Sequence, residues 1–361
     1  MVIEGGDMEI INAGKQTMII RLGREFSDAC ETELSGLLED GIRKSARWLA
    51  LDFTEAVLFD NTGINTLVKL CVRSNKARIR LAAVGLNKKQ REIFMVTGLD
   101  RDYHIDRKVP TGDGTGLRPA VTDTQPVKPA HKDDAYWALP MEHLLVPQMP
   151  AEAISLNVNG RKTSGPQQGF GQLWEKTYRI DLTDAGLAPA QIIETVKKHF
   201  PLLQPEENRF YPSVNGIKPG EIVLINARTP GGMVATGVRV LYEGDTTFTF
   251  ITPQGHPEAG WVTFKAFEES GHTIMQIRGL ARASDPVYEL AFRIAGSSLQ
   301  QQIWTHMLQS LAKHITSSGK VAVNKQCLDE SLQWWRFFNV LQNAQILSIF
   351  YMITHPFKKY R

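Results

Sequence analysis

The sequence predicts an α/β domain, a mixed sheet with helices against it, followed by an α+β domain in which a curved antiparallel sheet is closed by a long helix. Three observations carry this. Strand and helix patterns alternate from residue 8 to 106, as expected of a sheet with helices on its faces. Residues 108–132 then lose any apolar period and hold Pro110, Gly112, Gly114, Gly116, Pro119, Pro126 and Pro129, which is linker chemistry. Beyond them, strand patterns pair around Gly-containing turns, and Pro286–Ile315 carries a helical stripe. The expected divisions are a first domain at 1–107, a linker at 108–132, a second domain at 133–316 that opens with an irregular leader, and a partly helical tail at 317–361.

In the first domain, Met8–Ala13 and Thr17–Leu22 read as a hairpin turning at Gly14-Lys15. Leu34, Leu37, Leu38 and Ile42 give the next helix its apolar face. The stretch from Leu49 to Arg73 is the organising element. An apolar strand, Leu49–Phe53, leads through a short connection into Phe59-Asp60-Asn61-Thr62-Gly63. Ile64, Leu67, Val68 and Cys71 then recur at helical spacing. Asp60, Asn61 and Thr62 stand where the first N–H groups of that helix lack partners, so each is able to cap it. Ile79–Val84 is a further strand, and Lys88–Val96 a helix closed by Thr97-Gly98-Leu99-Asp100.

In the second domain, Gly160–Gly171 reads as a flexible loop, because it lacks both GxGxxG spacing and a Gly-Lys-Ser/Thr ending. Leu173–Leu182 is a strand and Pro189–Leu203 a helix, with proline suited to its first turn. Glu221–Arg228, Met233–Tyr242, Thr246–Thr252, Trp261–Glu268 and His272–Ala281 are strands. Val287, Leu290, Ile294, Trp304, Met307, Leu311 and Ile315 stripe the final helix. In the tail, the apolar run Ile346–Ile353 is too short to span a bilayer. It either packs back on the second domain or, with Lys358, Lys359 and Arg361, lies on a membrane surface.

Composition narrows the function classes. A formal charge of +3 on 361 residues, with no Lys/Arg cluster before the last seven, argues against a nucleic-acid partner. Cys30, Cys71 and Cys327 show neither a metal spacing nor a disulfide framework, which suits a reducing cytoplasm. Met1–Asp7 lacks the basic start and apolar run of a signal peptide. Nine scattered histidines make no HxxxH or His-Cys pattern, and no Gly-x-Ser-x-Gly elbow occurs. Neither cofactor, metal nor catalysis is expected.

The turn Asp60-Asn61-Thr62-Gly63 between a strand and a helix resembles the Asp-Ser-Ser-Gly-like signature of the STAS domain, the fold of anti-sigma-factor antagonists. Val84-Gly85-Leu86 followed by Met95-Val96-Thr97-Gly98-Leu99 is a second match, and the likeness covers residues 8–106. The resemblance implies that Thr62 is a phosphoacceptor, its hydroxyl exposed at the start of the helix, and that Asp60, Asn61 and Gly63 belong to a switch surface. It also implies that the partner is an anti-sigma factor or a Ser/Thr kinase of the anti-sigma type. Read from spacing alone, Thr62 or Asn61 is a helix cap. Phosphate at a helix start is expected to change folding little and partner docking greatly.

The element order over 170–316 resembles the helix-grip fold of the START-like or SRPBCC superfamily. Gly169–Trp174 and the phrase at 230–233 are similar to uncharacterised bacterial members of it. That resemblance implies a cavity for a small apolar ligand, with Tyr211, Glu221, Arg228, His256, Trp261, Arg278 and Arg282 as candidate lining residues. Strand alternation sends about half of such a set outward. The expected protein is a cytoplasmic regulator of two modules. The alternative is a lipid or polyketide-type carrier or enzyme, localised or dimerised by its STAS module.

Overall fold

The computed structural model describes residues 8–13, 16–56, 58–105, 136–146, 149–150, 152–229 and 231–354. The expected linker, the expected turn at Gly14-Lys15 and the closing basic residues lie outside them. The chain divides into two compact units, Met1–Pro140 and Met141–Arg361.

The first unit runs β1 (Glu9–Ala13), β2 (Thr17–Arg21), β3 (Glu25–Phe26), a 3₁₀ turn (Asp28–Cys30), α1 (Glu31–Arg43), β4 (Trp48–Asp52), β5 (Leu58–Phe59), α2 (Gly63–Lys76), β6 (Arg80–Val84), α3 (Lys88–Thr97) and β7 (His104–Ile105). The main sheet has the order β1-β2-β4-β6-β7. Its first pair is antiparallel and the rest parallel, because only the hairpin has a connection without a crossover. Strands buried on both faces read as unbroken apolar runs, and Leu49, Ala50 and Leu51 are all buried. Asn87 caps α3 reciprocally with Gln90, and Gly98, at φ 77°, ends it in the left-handed region that glycine favours. Trp137 belongs to this unit. Its indole N–H donates to Phe59 O at 3.3 Å, and its ring lies 6.1 Å from that of Phe59. The leader is therefore divided and does not pack wholly on the second domain.

The second unit runs β8 (Thr163–Ser164), β9 (Leu173–Asp181), α4 (Pro189–His199), β10 (Asn208–Pro212), β11 (Ile222–Thr229), β12 (Gly232–Glu243), β13 (Thr247–Pro253), β14 (Glu258–Glu269), β15 (His272–Ala283), α5 (Pro286–Ala291), α6 (Ser297–His314), β16 (Ala322–Asp329), a 3₁₀ helix (Trp334–Gln342) and α7 (Ala344–Thr354). One antiparallel sheet has the order β10-β11-β12-β13-β14-β15-β9-β16, with β8 added beside β13. Its concave face holds Phe248, Phe250 and Phe264, and Phe200 beyond α4 packs edge-on to all three. Met307, Leu308 and Leu311 of α6 close this core.

Two sequence expectations need correction. The last long helix is broken by a π-turn, Phe292–Gly296. A π-turn adds a residue to one helical turn and rotates the rest of the helix about its axis. The stripe is split accordingly: Met307 and Leu311 are buried, while Val287, Leu290 and Ile294 are exposed. The Gly-rich stretch expected to be a flexible loop is buried from Ser164 to Gly171, where a Cβ at Gly169 would lie 2.7 Å from Arg282 Cβ, while Gly160 is exposed. The tail packs back on the second unit, the first of the two readings the sequence allows. β16 pairs with β9, and α7 packs against β12, with Ser348 Oγ accepting from Ala235 N at 3.0 Å. Among the described residues, no helix is long and apolar enough to cross a membrane.

Candidate functional site

The turn that starts α2 is built by one carboxylate. Asp60 Oδ1 accepts from the backbone N–H of Thr62 at 2.9 Å and of Gly63 at 3.0 Å, and from the Thr62 hydroxyl at 2.7 Å. Asp60 is thus the side chain that satisfies the free N–H groups at the helix start, and Thr62 makes no capping bond of its own. Gly63 is required by space, since a Cβ there would come within 2.8 Å of Phe26 O.

The Thr62 hydroxyl also accepts from Asp28 N at 3.0 Å and has Asp28 Oδ1 at 3.1 Å. It therefore ties the start of α2 to the 3₁₀ turn 34 residues earlier and stands between two carboxylates. Burial, with the Asp28 charge adding to it, raises the Asp60 carboxyl above its ordinary range, against the hydrogen bonds that lower it. The expectation of an exposed hydroxyl is corrected: Thr62 is 5 % exposed and Asn61 2 %. Gly63 is buried as well, and only Asp60 of the expected switch surface is half-exposed. The physical reason is the Asp28 turn, which folds over the helix start.

The second unit holds a cavity of ≈ 70 Å³ between the sheet and α6. Of the seven residues named from the sequence, His256 and Trp261 line it. The His256 imidazole accepts from Glu258 N at 3.1 Å, and burial lowers its pKa to about 4, so it is neutral. The other five lie elsewhere. Arg282, 1 % exposed, is locked to Asp329 at 2.5 Å and donates to Gly171 O. Arg278 pairs with Glu175 at 2.7 Å. Glu221 accepts from Ser213 and Asn215. Tyr211 and Arg228 border a separate shallow cleft with Glu206 and Glu207.

Sequence reasoning missed the polar end of the cavity. Lys176 Nζ lies 3.8 Å from Glu258 Oε1, and Gln300 on α6 bridges them, accepting from Lys176 and donating to Glu258 Oε2 at 2.7 Å. Beside them Tyr178, 1 % exposed, has a hydroxyl without a hydrogen-bond partner. The missed signal is the alternation Trp174, Lys176, Tyr178 on β9, which puts a lysine on the same inward face as two aromatics. Among the described residues, no group of three His, Cys, Asp or Glu side chains is placed to hold a metal ion.

No curated protein matches the sequence. Among solved structures, the di-domain ARO/CYC StfQ from the steffimycin biosynthetic pathway is similar over 40 % of this chain, with 11 % identity and a TM-score of 0.33. The chain spans about half (51 %) of the length of StfQ. Ara h 8.0201 is 12 % identical over 40 % of this chain and 99 % of its own, with a TM-score of 0.29. The Bacillus cell fate determinant SpoIIAA, in its phosphorylated form, is 14 % identical over 28 % of this chain and 92 % of its own, with a TM-score of 0.24. The family model for the STAS domain matches residues 10–112, so the N-terminal part of this chain is a STAS domain.

Proposed function

We propose that this chain is a regulatory protein of the anti-sigma-factor-antagonist kind. Its STAS domain docks an anti-sigma factor or a Ser/Thr kinase of the anti-sigma type, and its second unit binds a small, largely apolar ligand. The observation that supports this best is the Thr62 hydroxyl, held by Asp60 and Asp28 at the start of α2. A phosphoryl group brings about −1.5 to −2 charge. At Thr62 that charge meets two carboxylates within hydrogen-bonding distance of the hydroxyl. Repulsion there outweighs the favourable field of one helix start, worth about 0.3–1 kcal/mol. Phosphorylation then breaks the Asp28–Thr62 tie and displaces the 28–30 turn, remodelling the docking face instead of merely charging it. A kinase reaches the hydroxyl only after that turn opens, a local event less costly than global unfolding. Incubation with such a kinase and labelled ATP tests the assignment, with Thr62→Ala as control; equal label in both proteins ends it.

The tail adds a third contact, with a membrane surface. Trp335, Phe338 and Leu341 recur every three residues, so on a 3₁₀ helix they form one ridge. They are 73, 74 and 74 % exposed. From Ser331 to the last residue the sequence has no acidic side chain, and it carries Arg336, Lys358, Lys359 and Arg361. Aromatic side chains on an acid-free, basic segment suit the interface of an anionic bilayer.

A further inference from the structure

We infer that the π-turn Phe292–Gly296 turns α5 outward to complete a membrane-facing surface, on which Val287, Leu290 and Ile294 join the exposed ridge of Trp335, Phe338 and Leu341 against an anionic bilayer. This rests on the reading of the tail as a membrane contact and adds the element that shares it. In an unbroken helix Leu290 would stand on the stripe of Trp304 and Leu311, which follow it in steps of seven residues. The π-turn inserts a residue into one turn, and each residue of a helix turns it by about 100°. The face that the sequence pattern assigns to the core is therefore presented to solvent on α5. Val287 is 45 %, Leu290 60 % and Ile294 76 % exposed. Exposed apolar side chains scattered singly need no explanation, but a set on one helical face beside an exposed aromatic ridge marks an interaction surface.

Side-chain hydrogen bonds hold α5 and the tail together. Asn339 Nδ2 donates to Ser284 O at 2.8 Å, Asn343 Nδ2 to Asp285 Oδ2 at 2.8 Å, and Gln345 N to the Tyr288 hydroxyl at 2.9 Å. These bonds take up the side of α5 that carries Asp285 and Tyr288. On the 3₁₀ helix they take up Asn339, one residue beyond the exposed ridge. Val287, Leu290 and Ile294 stay outside the seam on one element, and Trp335, Phe338 and Leu341 on the other.

Charge selects the occupant. From Leu290 to the last residue the sequence holds eight Lys/Arg and two Asp/Glu, a net +6, although the whole chain is only +3. Such an asymmetry points to an anionic partner surface. Of the two acids, Asp329 is bound to the buried Arg282, which leaves Glu330. The acids of α5 itself are withdrawn: Asp285 is buried at the helix start, and the buried Glu289 pairs with Arg293 at 2.8 Å. The exposed face of α5 is thus apolar and uncharged, and the positive charge lies on the chain that follows it. A second copy seated on this face about a two-fold axis would bring like charges together. A bilayer containing anionic lipid answers them, at about 1 kcal/mol for each Lys or Arg near its surface.

The test is co-sedimentation of the full-length protein with vesicles of phosphatidylcholine and phosphatidylserine in equal parts, and with vesicles of phosphatidylcholine alone. Leu290→Gln with Ile294→Gln should weaken partitioning into the mixed vesicles at least about tenfold, with Tm within about 2 °C of wild type because both side chains are exposed. Leu290→Trp, which supplies an interfacial side chain at the same place, should bind at least as tightly as wild type. If the glutamine pair partitions within about threefold of wild type while Trp335→Ser with Phe338→Ser abolishes binding, α5 is not part of the surface and the tail contact stands alone. Equal binding to phosphatidylcholine alone would remove the charge argument and the inference with it. If the glutamine pair instead dissolves a concentration-dependent dimer seen by analytical ultracentrifugation without lipid, the face belongs to a second copy and the bilayer is the wrong occupant. If the wild-type protein binds neither vesicle, the inference and the membrane reading of the tail fall together.

Discussion

Replacing Thr62 by valine keeps the shape of the side chain and removes only the hydroxyl. In the structure that hydroxyl accepts from Asp28 N at 3.0 Å and donates to Asp60 Oδ1 at 2.7 Å. The first bond is a backbone bond at a half-exposed residue, where water partly compensates, and is worth about 1 kcal/mol net. The second goes to a carboxylate that keeps two backbone donors, so its loss costs less than the ~1.5–3 kcal/mol of an isolated bond to a charged group. Together they amount to about 2 kcal/mol, or roughly thirtyfold in the local opening equilibrium. Amide hydrogen exchange of the full-length protein reads this directly. Thr62→Val should speed exchange about thirtyfold at Asp28, with a smaller effect at Gly63, and Thr62→Ser should restore wild-type rates. Exchange at Asp28 within about threefold of wild type would mean that the hydroxyl does not hold the turn, and the argument for a phosphorylation-driven displacement would fail.

Other consequences are open to measurement. His256 is held neutral with a pKa lowered to about 4, against 6.5 when unfolded. The stability it contributes is present above pH 6.5 and lost as pH falls from 6.5 towards 4. His256→Gln should flatten that part of the Tm–pH curve of the second unit. Arg282→Ala strands the Asp329 carboxylate and two carbonyls, a loss of about 3–5 kcal/mol, whereas Arg282→Met with Asp329→Leu should be far milder; chemical denaturation compares them. Trp335→Ser with Phe338→Ser should abolish co-sedimentation with vesicles rich in phosphatidylserine, leaving the Tm of this surface pair within about 2 °C of wild type. Equal sedimentation of variant and wild type would remove the membrane contact.

The fold is largely legible in the sequence because its periodicities are local. The run Leu49–Phe53 into Gly63 declares a strand, a turn and a helix within a few residues, and the family model matches the region. The likeness of the turn to the STAS signature points to Thr62, but not to its burial, because Asp28 covers it from 34 residues away. No local pattern encodes such a contact. The π-turn escapes because α5 and α6 each keep a helical period, and only the offset between them reveals the extra residue. β16 escapes because it is an edge strand with mostly half-exposed or exposed residues, so it lacks a buried alternating face. The candidate cavity residues go astray for a different reason. Arginines on strands invite a reading as ligand contacts, whereas Arg278 and Arg282 are spent on Glu175 and Asp329. Buried arginine is more often a paired structural group. The informative residue is Lys176, inward-facing between Trp174 and Tyr178.

The central claim, that the start of α2 governs partner docking, is tested most directly by calorimetry. The full-length protein and its Thr62→Glu variant would each be titrated with a Ser/Thr kinase of the anti-sigma type from the same organism. A third carboxylate between Asp28 and Asp60 should weaken binding by at least about tenfold, which is 1.4 kcal/mol. Equal affinity of the two proteins, with Thr62→Glu still folded by hydrogen exchange, would contradict the account.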